Sequence, residues 1–386
     1  MLTLIRNAHV FAPEDQGVCH VLVAGDRIVY VGTDVPDLDR RLGIDDMDVE
    51  GAPLIPGFID PHAHVTGGGG EAGFETSVPA PQLSEYTRAG VTTVVGLLGT
   101  DDLVRTTSAL IARLKALRSE GLSAWGYTGG YHVPPTTLTG SVRSDIVHVE
   151  ELIGVGEVAI SDHRSSQPRL DEVVRLASEA HVAGLMTGKA GVVHFHVGDG
   201  QRGLTLIREA LETTELPARV FNPTHVNRRK GLFDEALEAS ARGCTIDLTA
   251  FPVEEGEDAW TAEDALERYL DHGAHLDRVT ISSDGGGCLP VFDETGAPVG
   301  LDYARADALP SCFAALMGRG HAMESIIPAF SSNAARLLRL PYKGAIAQGM
   351  DADLIVLDEH HRPRHVMARG AWHVLDHQPT IKGTFE

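Results

Sequence analysis

The sequence is poor in cysteine and in basic side chains, and each shortage excludes a class of protein. Its 386 residues include four scattered cysteines and no CxxC pair. This spacing argues against a disulfide framework or a cysteine-ligated zinc, and it fits a reducing compartment. Lys and Arg number 32 against 54 Asp and Glu, a formal net charge of −22. Nucleic acid and anionic membranes are bound by clustered basic side chains, so neither partner is expected.

Long apolar segments are lacking too. No run approaches the roughly 20 residues that a membrane-spanning helix needs. Residues 1–17 reach charged side chains and Asn without the apolar core of a signal peptide. We therefore expect a cytoplasmic protein that acts on a small molecule.

Strand and helix patterns divide the chain into three parts. Residues 1–55 and 340–386 read as short strands with turn signals, such as "CHVLVAGDRIVYVG" and "HVMARGAWHVL". Residues 56–339 alternate apolar strands with helical stretches, and eight such strands can be counted from "GFIDPHAHV" to "RVTISSDG". This alternation predicts a TIM-like (β/α)8 barrel. The two ends of the chain are predicted to build one small β-sandwich domain together.

A barrel of this kind places its chemistry at the carboxyl ends of its strands. Six residues of metal-ligand type end the predicted strands: His62, His64, Glu157, His196, His225 and Asp284. In His-Ala-His the two imidazoles share one side of the strand, because successive side chains alternate between faces.

Each of these residues also has an ordinary interpretation. A single histidine at a strand end is often a hydrogen-bonded structural residue, and Asp284 before Gly285 could be a turn residue. Glu157 is harder to explain in this way, since an unpaired carboxylate among the apolar neighbours of "VGEVAIS" is costly without a cation nearby. Six such residues at one end of one barrel favour a metal site.

Imidazoles and carboxylates without thiolates suit Zn, Mn, Co, Ni or Fe(II). Six ligands are too many for one catalytic ion with an open position, and they suit two divalent ions, of which zinc is favoured. Two ions about 3.5 to 4 Å apart polarise a carbonyl and activate a shared water. The pattern therefore predicts hydrolysis.

These motifs resemble the amidohydrolase superfamily, through "PGFIDPHAH" and "GMDADLIVLD", and within it the bacterial isoaspartyl (β-aspartyl) dipeptidases. The closer signals run through nearly the whole chain and include "GGGGEAG", "GVTTVVGLLGTD", "GYHVPP", "AISDHRS", "PTHVNR" and "SSDGGG". The resemblance implies a metal-dependent dipeptidase that releases aspartate and a free amino acid from a small dipeptide. It also implies a homo-oligomer.

The resemblance also implies a role for each ligand. His62 and His64 would hold one metal, His196 and His225 the other, and Asp284 would contact the site as ligand and proton shuttle. The bridging position of the best-known members is a carbamylated lysine, and here Glu157 occupies it. Lys189 and Lys230 do not end the fourth strand, so we expect a bridge that needs no carbon dioxide.

The same resemblance implies a substrate site. Glu71, after the glycine run at 67–70, would bind the α-amino group, with Thr100 nearby. Arg164 and Arg228 would bind carboxylates, and Tyr131 would donate a hydrogen bond to the developing oxyanion.

One position of this site departs from the family pattern. Cys288 stands where the family usually has a carboxylate-binding serine, which puts the exact dipeptide specificity in question. The alternatives are another amidohydrolase chemistry, such as a cyclic-amide hydrolase or an N-acyl amino acid deacylase, and an inactive scaffold of the same fold.

Overall fold

The computed structural model describes residues 2–39, 41, 43–292, 295 and 297–386. Within these residues, the N-terminal part contains the strands β1 (Leu2–Phe11), β2 (Asp15–Ala24), β3 (Arg27–Gly32), β4 (Ile44–Asp48) and β5 (Pro53–Pro56). Gly25 and Asp26 form the turn between β2 and β3, where the sequence predicts a hairpin.

Eight short strands follow in residues 58–282, a range that the structure describes without a gap. They are β6 (Phe58–Ala63), β7 (Val91–Gly96), β8 (Ser123–Thr128), β9 (Leu152–Ile160), β10 (Val192–Val197), β11 (Phe221–Thr224), β12 (Ile246–Thr249) and β13 (Val279–Ser282). The intervening helices are α1 (Leu83–Arg88), α2 (Thr107–Ser119), α3 (Val142–His148), α4 (Leu170–Thr187), α5 (Thr205–Thr213), α6 (Lys230–Ala241) and α7 (Ala262–Asp271). The predicted eight-strand alternation is confirmed, and the fold is TIM-barrel-like.

Strands β6 to β11 pair in parallel in sequence order, and β12 pairs with β13. Side-chain hydrogen bonds and isolated backbone hydrogen bonds join the two groups of strands into a ring. Between β11 and β12, the amide nitrogen of Asn222 donates to Thr245 O at 2.7 Å and the hydroxyl of Thr224 donates to Asp247 at 2.6 Å. Between β13 and β6, His64 N donates to Gly285 O at 2.9 Å. The ring brings the carboxyl ends of all eight strands to one rim.

The helices cover the ring with one apolar face each, and α4 shows how its sequence sets this face. Its buried positions, which include Val173, Leu176, Ala177 and Ala180, recur every three or four residues. The helix begins where the Glu172 carboxylate accepts a bond from the Arg169 N–H at 2.9 Å. The strands beneath are buried on both faces, which explains their continuous apolar runs.

After β13 the chain forms an antiparallel hairpin of β14 (Cys288–Phe292) and β15 (Pro298–Tyr303), which the strand pattern does not predict. Helices α8 (Ala308–Gly318), α9 (Met323–Phe330) and α10 (Ser332–Leu337) follow. Among the described residues, no helix combines the length and the apolar character that crossing a membrane requires.

Both ends of the chain meet in one sheet. Its C-terminal strands are β16 (Leu354–Leu357), β17 (Pro363–Ala368), β18 (Ala371–Leu375) and β19 (Gln378–Pro379). In the described residues the order is β19-β18-β17-β16-β5-β1-β2-β3, with β4 beside β1. Leu54 pairs with Val356 across the central junction, and both belong to an apolar cluster distinct from that of the barrel.

Candidate active site

The six metal-ligand side chains suggested by the sequence all lie inside the ring at one rim. Each is at most 8% exposed. His62 lies in β6 and His64 directly follows that strand, while β9 contains Glu157 and β10 contains His196. His225 follows β11 directly, and Asp284 lies two residues after the end of β13. Residues that are distant in the sequence therefore meet because parallel strands end at the same rim.

His62, His64 and Asp284 form the first group of ligand atoms. The Nε2 atoms of both histidines lie 3.1 Å from Asp284 Oδ1. The alternation of side chains along β6 accounts for this geometry, because both imidazoles point into the ring. One carboxylate oxygen therefore faces two ring nitrogens at once.

Glu157 lies at the centre of the second group, with His62 and His225. Its Oε1 is 3.3 Å from His64 Nε2, and its Oε2 is 3.6 Å from His62 Nε2 and 3.5 Å from His225 Nε2. The two oxygens of one carboxylate thus face different imidazoles, as a bridging ligand requires.

His196 lies at the edge of this cluster. Its Nδ1 is 3.1 Å from Glu157 Oε2 and 2.9 Å from the Tyr131 hydroxyl, while its Nε2 is 2.9 Å from Asp162 Oδ2. The imidazole of His196 therefore connects the metal-ligand residues with the residues that we expect to bind substrate.

The cluster keeps its carboxylates charged. Burial raises the pKa of Glu157, but the imidazoles around it, His62 foremost, outweigh burial and hold that pKa well below its usual range. The pKa of Asp284 is lowered by the same balance. Burial lowers the pKa of His225 to about 3, which leaves that imidazole neutral and able to act as a ligand.

Two atoms inside the cluster indicate that a cation fits there. His62 Nε2 and Asp284 Oδ1 are buried and lack a hydrogen-bond partner among the described residues, although they lie 3.1 Å apart. Buried polar atoms are costly unless they are paired. Imidazoles and charged carboxylates that converge in this way suit a divalent transition metal, which displaces the proton from each imidazole nitrogen that it binds.

A pocket for charged groups adjoins the cluster. The Glu71 carboxylate accepts a hydrogen bond from the Thr100 hydroxyl at 3.0 Å and lies 3.4 Å from Arg164 NH1, both through Oε1. Its other oxygen, Oε2, is buried without a hydrogen-bond partner in the described residues. That oxygen is free to accept from a ligand.

The glycine run explains how Glu71 reaches this position. Gly67 has a φ of +76°, and a Cβ there would lie 2.0 Å from Val78 O. Gly69 has a φ of +78°, and a Cβ there would lie 2.7 Å from Thr76 O. Side chains at these two positions would strain the backbone and collide with backbone oxygens farther along the same loop.

The sequence between residues 54 and 385 matches the amidohydrolase family model. The chain belongs to the amidohydrolase family. The resemblance drawn from the sequence motifs is thereby confirmed, and with it the enzyme class, a hydrolase.

Solved structures give a closer comparison. A β-aspartyl dipeptidase of Fervidobacterium islandicum AW-1, in complex with β-Asp-Leu, is 44% identical, covers 98% of this chain and 99% of its own, and superimposes with a TM-score of 0.92. Among curated proteins, an imidazolonepropionase of Ruegeria sp. is 24% identical over 88% of this chain and 86% of its own length. A dihydropyrimidinase of Brevibacillus agri, with 18% identity and a TM-score of 0.67 over 99% of this chain and 97% of its own, is similar in fold.

Arg164 and Arg228 both line the pocket of this amidohydrolase, and a different carboxylate pairs with each. Asp162 accepts two hydrogen bonds from the Arg164 guanidinium, whereas Arg228 Nε lies 3.0 Å from the exposed Asp199. Each arginine also has a guanidinium nitrogen 3.3 Å from His196 Nε2. The two cations therefore meet next to the metal-ligand cluster.

Tyr131 and Cys288 both lie near Arg164. Burial raises the pKa of Tyr131 well above its usual value, so the phenol stays protonated and can donate. Cys288 begins β14 half-buried, and burial raises the pKa of its thiol to about 11, with the nearby Glu71 adding to the shift. The thiol is a weak donor at neutral pH.

The two lysines considered as bridging groups lie elsewhere. Lys189 Nζ donates to three carbonyls between α3 and the first residue of β9, those of Ile146, Val149 and Leu152. Lys230 Nζ lies 4.7 Å from the centre of the Trp260 ring. Both lysines therefore lie away from the imidazoles that face Glu157.

Sequence reasoning missed three buried polar residues: Asp162 and His194, which contact the predicted site, and Asn222, which contacts His194. Asp162 follows β9 in "AISDHRS" and could have been found as a strand-end carboxylate. His194 repeats, two residues before His196, the spacing that singled out His62 and His64. Asn222 has no local signal.

Proposed function

We propose that this protein hydrolyses the β-aspartyl bond of isoaspartyl dipeptides and releases aspartate and a free amino acid. The observation that carries the proposal is the buried Glu71 oxygen, which has no hydrogen-bond partner among the described residues and is held beside Arg164 next to the metal-ligand cluster. The similarity to a β-aspartyl dipeptidase in complex with β-Asp-Leu supports it.

The charges of the pocket match those of such a dipeptide. The substrate carries one α-amino group and two carboxylates around the scissile amide. Glu71, with Thr100 beside it, binds the amine, and Arg164 and Arg228 bind the carboxylates. A guanidinium holds a carboxylate in a planar two-point contact that lysine does not reproduce.

Two divalent ions, with zinc favoured, would be held by the six residues of the cluster. His62 and His64 would hold one ion, His196 and His225 the other, and Glu157 and Asp284 would complete the set. When bound, the pair supplies Lewis acidity for the amide carbonyl and lowers the pKa of water. Glu157 would take the place of a bridging ligand, so no carbamylated lysine would be needed.

The remaining steps fall to side chains of this chain. Asp284 accepts a proton from the attacking water and returns it to the departing amine. The Tyr131 hydroxyl donates a hydrogen bond to the carbonyl oxygen as negative charge develops there. Cys288 lies on the side where a substrate carboxylate is expected and adjusts the affinity for it.

We also propose that the terminal sheet is a small β-sandwich domain of residues 1–55 and 340–386, beside a barrel domain of residues 56–339. Its separate apolar cluster supports this division. The protein is expected to act as a homo-oligomer in the cytoplasm, without nucleic acid or membrane partners.

The test combines metal analysis and activity on one preparation. We expect about two transition-metal ions per chain and hydrolysis of β-Asp-Leu. Glu71→Gln should abolish most activity and keep the metals, while Glu75→Gln, on the exposed part of the same loop, should change neither.

A substrate panel separates the proposal from its rivals. β-Aspartyl dipeptides should be cleaved faster than γ-glutamyl and α-aspartyl dipeptides. Faster cleavage of a cyclic amide or an N-acyl amino acid would replace the proposed substrate. Absence of both metal and hydrolysis would indicate an inactive scaffold.

A further inference from the structure

Below the metal-ligand cluster, a buried chain of hydrogen bonds crosses the barrel. His62 Nδ1 lies 2.8 Å from His194 Nε2, and His194 Nδ1 lies 2.6 Å from Asn222 Oδ1. All three side chains are fully buried. Strands β6 and β10 are four places apart in a ring of eight, so the contact joins opposite walls.

Polar residues at these positions are unusual for a barrel interior. The layers inside a (β/α)8 barrel are filled mainly by branched apolar side chains. A buried imidazole and amide instead cost free energy unless every donor and acceptor is paired. Packing of the barrel interior alone therefore does not explain why His194 and Asn222 are polar.

The direction of each bond follows from its chemistry. Asn222 Nδ2 lies 2.7 Å from Thr245 O, and a carbonyl oxygen only accepts, so the amide nitrogen must face it. Asn222 Oδ1 then accepts from His194 Nδ1–H. A neutral imidazole has one N–H and one lone pair, so His194 Nε2 accepts from His62 Nδ1–H.

The consequence appears at the far side of the His62 ring. With its proton fixed on Nδ1, a neutral His62 ring would present its Nε2 lone pair to an ion bound beside Glu157 and Asp284, whose oxygens lie 3.6 and 3.1 Å from Nε2. This nitrogen is also one of the buried atoms without a hydrogen-bond partner in the described chain. We propose that His194 and Asn222 are positioning residues that fix His62 in its metal-binding tautomer.

The inference rests on the proposed metal site and adds to it a support that runs through the barrel core. Partners that orient a metal-ligating histidine typically contribute 10–100-fold to metal affinity. The experiment therefore measures metal affinity of the full chain, by competition between metal-depleted protein and a chromophoric chelator for Zn²⁺, without any substrate.

Four variants make the test specific. His194→Leu and Asn222→Leu should each weaken Zn²⁺ affinity by about 10-fold or more. His194→Gln should restore affinity to within about threefold of the wild type, because its amide can accept from His62 and donate to Asn222. Tyr127→Phe is the matched control. The Tyr127 ring stacks on His194 with the ring centroids 5.0 Å apart, but its hydroxyl makes no hydrogen bond to any described residue.

Each outcome decides the inference. Affinity within threefold of wild type in both leucine variants overturns it, as does equal loss in His194→Gln and His194→Leu. If His194→Leu does not fold, Asn222→Leu and His194→Gln still decide. A wild type that binds Zn²⁺ but does not cleave β-Asp-Leu removes the proposed function alone, and a wild type that binds no Zn²⁺ overturns this inference.

Discussion

Asp162 and Arg164 meet in a two-point ion pair, with Arg164 Nε 3.1 Å from Asp162 Oδ1 and NH2 2.8 Å from Oδ2. The Arg164 backbone N–H also donates to Oδ1 at 2.7 Å. Burial raises the pKa of Asp162, but hydrogen bonds from His196 and Arg164 lower it far more, so the carboxylate is charged.

Asp162→Asn should therefore loosen Arg164 and impair substrate binding. We expect KM for β-Asp-Leu to rise about tenfold, the equivalent of about 1.4 kcal/mol, with a smaller change in kcat. Metal content, measured in parallel, separates this effect from the contact with His196. Asp171→Asn, an exposed change, is the control. Loss of kcat at constant KM would contradict the positioning role.

Tyr131→Phe should lower turnover and leave binding nearly unchanged. The hydroxyl is placed to stabilise charge that develops only in the transition state, so kcat should fall about 100-fold while KM changes little. Steady-state kinetics on β-Asp-Leu measure both. Unchanged turnover would exclude the tyrosine as the oxyanion donor.

Glu157→Gln should reduce the metal content, because a neutral amide cannot balance two cations. Metal analysis after dialysis should show at least one ion lost per chain, whereas Glu150→Gln, an exposed change, should keep both. Reconstitution of wild type without bicarbonate should leave activity unchanged. A bicarbonate requirement, or a modified lysine at the site, would contradict the Glu157 bridge.

Cys288→Ser should tighten the binding of β-aspartyl dipeptides. A hydroxyl donates more strongly than a thiol, and one neutral hydrogen bond contributes about 1 kcal/mol, so KM should fall up to about fivefold. Cys19→Ser, in the terminal sheet, controls for removal of a distant thiol. A higher KM would show that the thiol suits this substrate better than a hydroxyl.

His373 should make the protein less stable in acid. It is fully buried in β18, and neither ring nitrogen has a hydrogen-bond partner among the described residues. Burial lowers its pKa, although Asp353 opposes this. Below about pH 6.5 the unfolded chain therefore binds a proton that the folded chain does not, and unfolding becomes easier by up to about 1.4 kcal/mol per pH unit.

The check is thermal melting of metal-free protein between pH 7.5 and 5.5. His373→Leu should reduce the fall in melting temperature over this range, and the exposed His360→Gln should preserve it. Equal falls in both variants and the wild type would exclude His373 as the source.

The sequence carries most of the information about the strands and their ends. Because β6 to β13 are buried on both faces, their apolar runs can be recognised locally, and the residues that close them identify the site. Glu71 is different: its position follows from the family motif, and only the structure shows that one of its oxygens has no hydrogen-bond partner in the part of the chain that is described.

Other features depend on contacts between distant residues. The hydrogen bonds of Asn222 and Asp247 that close the ring cannot be predicted from the β11 or β12 segment alone. In its own segment, each residue is only a polar residue within a short apolar strand. The partnership of His62 with His194 requires that two opposite walls of the barrel face each other. The β14–β15 hairpin follows the last barrel strand, in a segment where the sequence pattern indicates no strand, so its pairing is not predicted.

The union of both chain ends in one sheet bears on how the protein is synthesised. Leu54 leaves the ribosome long before its partner Val356 has been translated, and only the finished polypeptide can cover the edge of β5. During translation, that unpaired edge offers backbone groups to other chains. Nascent chains that stop before residue 354 should therefore be the species that require chaperones.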